Sequence, residues 1–274
     1  MISLKPHTNS TELAKNIRLT CLEMCFNKKA SHIGGAFSIT DVLAVLYSNI
    51  LNINPKAPNA NDRDRVFYSK GHACTSFYAV LGLTGFYDIN NLDTFTDNGS
   101  YFTSHVNHKI PGVELSTGSL GHALSVACGV ALAGKRTQKP WHVYTIVSDG
   151  ELDEGSNWEA ILFAPHHKLD NLTLIVDYNK IQSFGTVEEV LNLEPLTDKF
   201  AAFGWHVTLI DGHDHNEILQ ALSNKNIPHG IPSVIIANTI KGKGVSFMQG
   251  ELAWHYKSPS KEQFDAAWQE VEGS

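Results

Sequence analysis

The chain has 274 residues, 42% of them hydrophobic, enough to bury the core of one large α/β domain spanning residues 1–274. Its formal charge of -7 and the lack of a Lys/Arg cluster argue against nucleic acid as a partner. No apolar run approaches the roughly 20 residues that cross a bilayer, and Met1 to Ser10 lacks the blocks of a signal peptide, so no membrane contact and a cytoplasmic location are expected.

In chain order, Thr11 is the expected N-cap of a helix whose periodic Leu13, Ile17, Leu22 and Met24 carry it to about Lys28. A second helix is expected over Asp41 to Leu51, then a loop over Asn52 to Arg65 and a short strand, Val66 to Ser69, which aims His72 at its carboxyl end. Small apolar residues from Leu120 to Ala133 predict a closely packed, buried helix. Strands at 142–148, 172–177, 205–210 and 233–238 then alternate with helices near 155–167, 196–203 and 215–224, and a last helix is expected from Ser260 to Trp268. Such alternation predicts βαβ units and a mostly parallel sheet with helices on both faces. There is no internal repeat. Cys21, Cys25, Cys74 and Cys128 form no Cys-x-x-Cys pair, and Cys21 and Cys25, four apart, are expected on one buried or half-buried helix face in a reducing compartment.

The chemistry concentrates at two strand ends. Ser148-Asp149-Gly150-Glu151 follows one apolar run and Asp177-Tyr178-Asn179-Lys180-Ile181 closes the next, so Asp149 and Asn179 reach one edge of the sheet. The carboxyl edge of a parallel sheet is where ligands bind, and a hard divalent cation takes carboxylate, amide or carbonyl and phosphate oxygens. Gly150 lets the backbone approach an anion, and the following helix is expected to offer it N–H groups. An isolated Asp-Gly would otherwise be a turn and Asn179 a loop residue.

Asp149-Gly150, a helix-long spacer and Asn179 resemble the thiamine diphosphate fingerprint Gly-Asp-Gly…Asn, with Ser148 in place of the first Gly. With Ser31-His32-Ile33-Gly34-Gly35, Lys70-Gly71-His72, Ser104-His105, Pro111 to His122 and Trp254-His255, the order resembles the cofactor-diphosphate half of transketolases from about Glu12 to Asp265. The resemblance implies thiamine diphosphate with Mg2+ (or Ca2+ or Mn2+) on Asp149, Asn179 and the Ile181 carbonyl. It implies His72, Gly150 and His255 at the diphosphate and the Gly118 and Leu120 carbonyls near the aminopyrimidine. It further implies His32, His105 and His255 as catalytic histidines facing the sugar, with His105 rather than His108 in register. Glu154 is read as structural or subunit-contacting. His122 and Ala123 depart from the family's Gly-Gln-Gly turn, and Lys241-Gly242-Lys243-Gly244 is read as a mobile loop with Lys241 or Lys243 exposed, not a nucleotide loop.

The family's catalytic Glu belongs to a pyrimidine-binding domain that would begin near the end of this chain. The resemblance therefore implies the N-terminal subunit of a split transketolase, with a C-terminal subunit carrying that domain and Glu in an α2β2 assembly. The expected reaction moves a two-carbon ketol unit from a ketose to an aldehyde sugar. Phe95-Thr96-Asp97-Asn98-Gly99 lacks the family's phosphate-binding Arg, which makes a modified or nucleotide-linked acceptor credible. A deoxyxylulose phosphate synthase-like or 2-oxoacid dehydrogenase-like subunit, and a non-catalytic subunit of the same fold, are the alternatives.

Overall fold

The apolar runs form one five-stranded, wholly parallel sheet. Its strands are β1 (Arg65–Tyr68), β2 (Val143–Ser148), β3 (Leu172–Tyr178), β4 (His206–Asp211) and β5 (Ser233–Asn238), in the order β1-β2-β3-β5-β4. The structure is a computed structural model, and it describes residues 9–223 and 228–273.

Burial explains why β2 and β3 are apolar almost throughout. Every residue of both is buried, as expected for inner parallel strands covered on two faces. Alternation then divides them between two cores. Tyr144, Ile146, Ile175, Ile235 and Ala237 face one core. Its helices are α1 (Ser10–Lys28), α2 (Ile33–Ser38), α3 (Thr40–Val45), α4 (Cys74–Leu83), α9 (His215–Leu222) and α10 (Lys261–Glu272). Val143, Val147, Leu172, Leu174, Val176, Val234 and Ile236 face the other. There they meet α5 (Ala123–Arg136), α6 (Gly155–His166), the short α7 (Val187–Val190) and α8 (Leu196–Ala202). Ile175, with no exposed surface, shows the scale: truncation to Ala at such a site costs about 2–5 kcal/mol. The outer strand β4 is only partly covered, and its Leu209 is exposed.

Several expectations change. Asn9, not Thr11, caps α1, its side chain accepting from the Thr11 N–H at 3.1 Å. The helix expected over 41–51 is α3 continued by a π-helical turn, Leu46–Ile50. α2, α4 and α7 were not predicted; α4 is buried on all sides and so carries no amphipathic period. α5 starts three residues later than expected and is not wholly buried: Ser125, Val126 and Gly129 form an open face. The end of the helix expected over 215–224 lies outside the described residues. Cys21 and Cys25 are both buried on α1, and all four cysteines are free.

Candidate cofactor site

The carboxyl ends of β1, β2, β3 and β5 open onto a cavity of about 220 Å³. Gly35, Lys70, His72, Gly118, Leu120, Asp149, Gly150, Asn179, Ile181, Lys241 and His255 line it. Sheet register does much of the placement, because Ser148 pairs with Asp177 and so brings Asp149 and Asn179 to the same edge. Asp149 accepts from the Gly150 N–H (2.8 Å) and the Lys180 N–H (2.6 Å), and Asn179 Oδ1 accepts from the Ile181 N–H (3.1 Å). Burial pushes the Asp149 carboxyl up to about 6, the neighbouring Asp177 charge acting in the same direction. Among the described residues no Lys, Arg or His side chain is paired with this buried carboxyl.

The Ile181 carbonyl already attracts a cation. Lys241 Nζ donates to it at 2.9 Å and lies 3.1 Å from His255 Nδ1. Lys241 is buried and Lys243 half-buried, so the expected exposed loop is instead a lining of the site. Burial lowers the Lys241 ammonium to about 8. The backbone holds it there: the Gly242 N–H donates to the Gly34 carbonyl at 2.9 Å, and a Cβ on Gly34 would lie 3.0 Å from Lys241 Cγ.

Behind this edge stands Asp177, with no exposed surface. It pairs with Lys70 and accepts from Thr239 Oγ1 and from Ser38 Oγ (2.6 Å); Lys70 Nζ also donates to the Gly35 carbonyl at 2.9 Å. Burial opposes its ionisation, but the Lys70 charge and these hydrogen bonds outweigh it and hold the carboxyl below its usual range. Gly71 is required by close approach, since a Cβ there would meet the Thr117 carbonyl oxygen at 2.4 Å.

Four imidazoles converge beside the cavity. The His32 ring centroid lies 5.1 Å from His255, 5.5 Å from His72 and 6.1 Å from His105. His32 sits at φ 71°, a left-handed conformation rare outside Gly, and the backbone N–H of His32 donates to the His255 carbonyl at 2.9 Å. Burial, with help from His105 and Lys241, lowers His32 to about 4. Burial and Lys241 lower His255 to about 3, and burial and Lys70 hold His72 well below its usual range. These three rings are neutral at neutral pH, each with one N–H to donate and one bare ring nitrogen to accept a hydrogen bond. His105 is exposed at the rim, packed over Gly118, where a Cβ would lie 3.0 Å from the ring. His108 instead turns outward to Ser116 Oγ, 2.7 Å away.

Some local expectations are corrected. α6 starts at Gly155, as expected, but a 3-10 turn, Gly150–Asp153, separates it from Asp149, and the Gly150 N–H is taken by Asp149 itself rather than offered to an anion. Glu154 is the N-cap residue of α6. His122 Nδ1 lies 2.9 Å from the Leu120 carbonyl oxygen, within a turn that Gly121 makes at φ 85°.

The transketolase thiamine diphosphate-binding domain matches residues 9–270. The chain belongs to the transketolase family. It is 44% identical over 260 residues to the 6-deoxy-6-sulfo-D-fructose transketolase subunit of a Clostridium sp., covering 94% of each chain. It is 39% identical to one of the subunits of apulose-4-phosphate transketolase from Phocaeicola vulgatus, covering 93% of this chain and 90% of that one. The crystal structure of Campylobacter jejuni transketolase superposes with a TM-score of 0.90 at 33% identity, covering 96% of this chain but 42% of that one. Leishmania mexicana transketolase gives 0.91 at 28% identity, 97% and 41%. This chain is thus a thiamine diphosphate-binding transketolase subunit, the N-terminal part of an enzyme of ketol transfer divided over more than one polypeptide.

Within this transketolase subunit, Lys70, Asp177 and Lys241 were not singled out as site residues. A signal for Asp177 was present, an acidic residue directly after the apolar run Leu172 to Val176, which demands a buried partner. Among the described residues no helix is long and apolar enough to cross a membrane.

Proposed function

We propose that Asp149, Asn179 and the Ile181 carbonyl hold a divalent cation, Mg2+ or in its place Ca2+ or Mn2+, that carries the diphosphate of thiamine diphosphate. The donor set suits it: one carboxylate, one amide and one carbonyl leave room for phosphate oxygens, the usual environment of Mg2+. The observation that carries the reading is the Ile181 carbonyl with an ammonium already on it, beside a buried Asp149 whose carboxyl is raised to about 6.

His72, Gly150, Lys241 and His255 would face the diphosphate, and the Gly118 and Leu120 carbonyls would accept from the aminopyrimidine amino group; all of these residues line the same cavity. When bound, the cofactor supplies the carbanion chemistry that breaks and makes the ketol carbon–carbon bond. His32 and His105, with His255, hydrogen-bond the substrate carbonyl and hydroxyls and move protons at those oxygens. Asp177 and Lys70 act behind them, fixing the edge of β3 and the Gly35 carbonyl. One sheet packed on both faces supports a single cofactor-binding domain. A C-terminal subunit with the pyrimidine-binding domain supplies the catalytic Glu and completes an α2β2 enzyme in the cytoplasm, where four unpaired thiols persist.

The substrates are a ketose donor and an aldehyde sugar acceptor. The named substrates of the two relatives carry a sulfonate and a phosphate, and here Phe95 is buried while Asp97 pairs with Lys28, so the 95–99 stretch offers no cation to such a tail. The test is ketol transfer from a ketose to a panel of phosphorylated, sulfonated, nucleotide-linked and unmodified aldehydes. It uses this chain alone, its second subunit alone, and both. Transfer only by the pair is expected; turnover by the purified chain alone would overturn the split-enzyme reading, and turnover of pyruvate instead of a ketose would move the pair to another thiamine enzyme class.

A further inference from the structure

Tyr256 is a large exposed aromatic residue next to the histidine cluster, and no role in the chemistry above uses it. It is 58% exposed, yet its backbone is fixed. The preceding Trp254 is buried and donates through Nε1 to the Phe247 carbonyl at 3.0 Å. The His255 carbonyl accepts from His32, the Tyr256 N–H donates to Ala253, and two residues later Ser258 Oγ donates to the Cys25 carbonyl at 2.9 Å. The ring stands 4.7 Å from the His255 ring and 6.3 Å from that of His32, centroid to centroid. The hydroxyl makes no hydrogen bond among the described residues. The ring is thus rigidly based, open on one side, and rests on two of the imidazoles assigned above to the substrate.

We propose that Tyr256 is a specificity-determining residue on which the carbon chain of the sugar beyond the transferred two-carbon unit lies. A sugar chain alternates hydroxyls with C–H groups, and an aromatic face buries the C–H side while leaving the hydroxyls free to hydrogen-bond. The ring thereby favours donors and acceptors with an extended polyol tail over short ones. The inference rests on the assignment of His32, His105 and His255 to the substrate side.

The experiment compares wild type, Tyr256→Phe and Tyr256→Ala, each assembled with the second subunit and saturated with thiamine diphosphate and Mg2+. Two donors are used with one common aldehyde acceptor. The first is hydroxypyruvate, which has the ketol group and no sugar tail; the second is whichever six-carbon ketose the wild type turns over, fructose 6-phosphate or 6-deoxy-6-sulfofructose. Tyr256→Ala should raise KM for the ketose about tenfold with a smaller change in kcat, so that the ratio of kcat/KM for ketose over hydroxypyruvate falls about tenfold, and Tyr256→Phe should restore most of that ratio. An unchanged ratio overturns the proposal. So does a variant whose only defect is weaker assembly with the second subunit, which would make the ring an interface residue. Wild type that uses hydroxypyruvate but no ketose overturns it as well, while wild type that uses neither donor overturns the proposed function together with this inference.

Discussion

Asp149 and Asp41 are both buried aspartates near the carboxyl edge of the sheet, and they have opposite surroundings. Asp41, near the outer strand β4, is saturated. Arg18 grips both its oxygens at 3.0 and 2.6 Å, His213 Nδ1 lies at 2.7 Å and His215 Nε2 at 3.2 Å. The Ile240 N–H donates to His213 Nε2 at 2.8 Å, so the His213 proton sits on Nδ1 and points at Asp41. Burial opposes ionisation of Asp41, but Arg18 and the imidazoles keep its carboxyl well below the usual range. Asp149, between β2 and β3, has two backbone N–H donors and a carboxyl raised to about 6. Asp177, one strand over, belongs with Asp41: Lys70, Ser38 and Thr239 complete it. A buried charge whose partners are complete stabilises the fold; one left incomplete weakens the fold and reserves the position for a ligand.

The contrast breaks most visibly where a saturated charge is removed. Asp177→Ala strands Lys70 as a buried, unpaired ammonium, and such a loss typically costs about 3–5 kcal/mol. Urea denaturation of the cofactor-free chain should show it; a change below about 1 kcal/mol would mean that Asp177 is no brace.

Replacing groups in the unsaturated region should spare stability and harm ligands. His105→Ala is expected to lower turnover of the assembled enzyme about 10²- to 10⁴-fold with cofactor affinity near wild type, because its interaction strengthens as charge develops on the substrate. His72→Ala is expected to weaken cofactor binding by about 1.5–3 kcal/mol, the range for a hydrogen bond to a charged group, since the diphosphate is charged throughout. Steady-state kinetics at limiting and saturating thiamine diphosphate separate the two. Rescue of His105→Ala, but not of His72→Ala, by excess cofactor would mean the roles are reversed.

A smaller effect follows from pH. The cation needs ionised Asp149, so protons compete with it as the pH falls through about 6, while His255, at about 3, stays neutral across that window. Metal-dependent affinity for thiamine diphosphate should therefore fall about tenfold between pH 7.5 and pH 5. Isothermal titration at the two pH values checks it, and a flat profile would remove Asp149 from the cation.

Much of this contrast was open to reading in the chain and some of it was not. Asp149 and Asn179 were legible because each ends an apolar run, and parallel strands must deliver their carboxyl ends to one edge. The histidines were legible through the order of their motifs; His105 is tied to α4 through the Tyr78 hydroxyl, which donates to its carbonyl at 2.7 Å, and α4 has no apolar period to announce it. Lys70 and Asp177 are 107 positions apart, and no local pattern encodes such a pair. The 241–244 segment was misread for the same reason. Two Lys between Gly residues suggest a solvated loop; partners distant in sequence, the Gly34 and Ile181 carbonyls among them, turn Lys241 inward.

The most direct test is the stability of wild type and Asp149→Asn at pH 7.5, measured by denaturation with and without thiamine diphosphate and Mg2+. A buried carboxyl held at about 6 binds its proton more tightly folded than unfolded. The fold therefore loses stability as the pH rises from the ordinary aspartate range through 6, by about 3 kcal/mol at pH 7.5. Asn removes that cost but gives up the acceptor for the Lys180 N–H, a hydrogen bond to a charged group worth about 1.5–3 kcal/mol. The cofactor-free variant should thus be as stable as wild type or more stable by up to about 1.5 kcal/mol, and cofactor with Mg2+ should stabilise wild type and not the variant. A variant less stable than wild type without ligand, yet stabilised by cofactor and Mg2+ as wild type is, would contradict the reading of Asp149 as the buried charge kept for the metal-bound diphosphate.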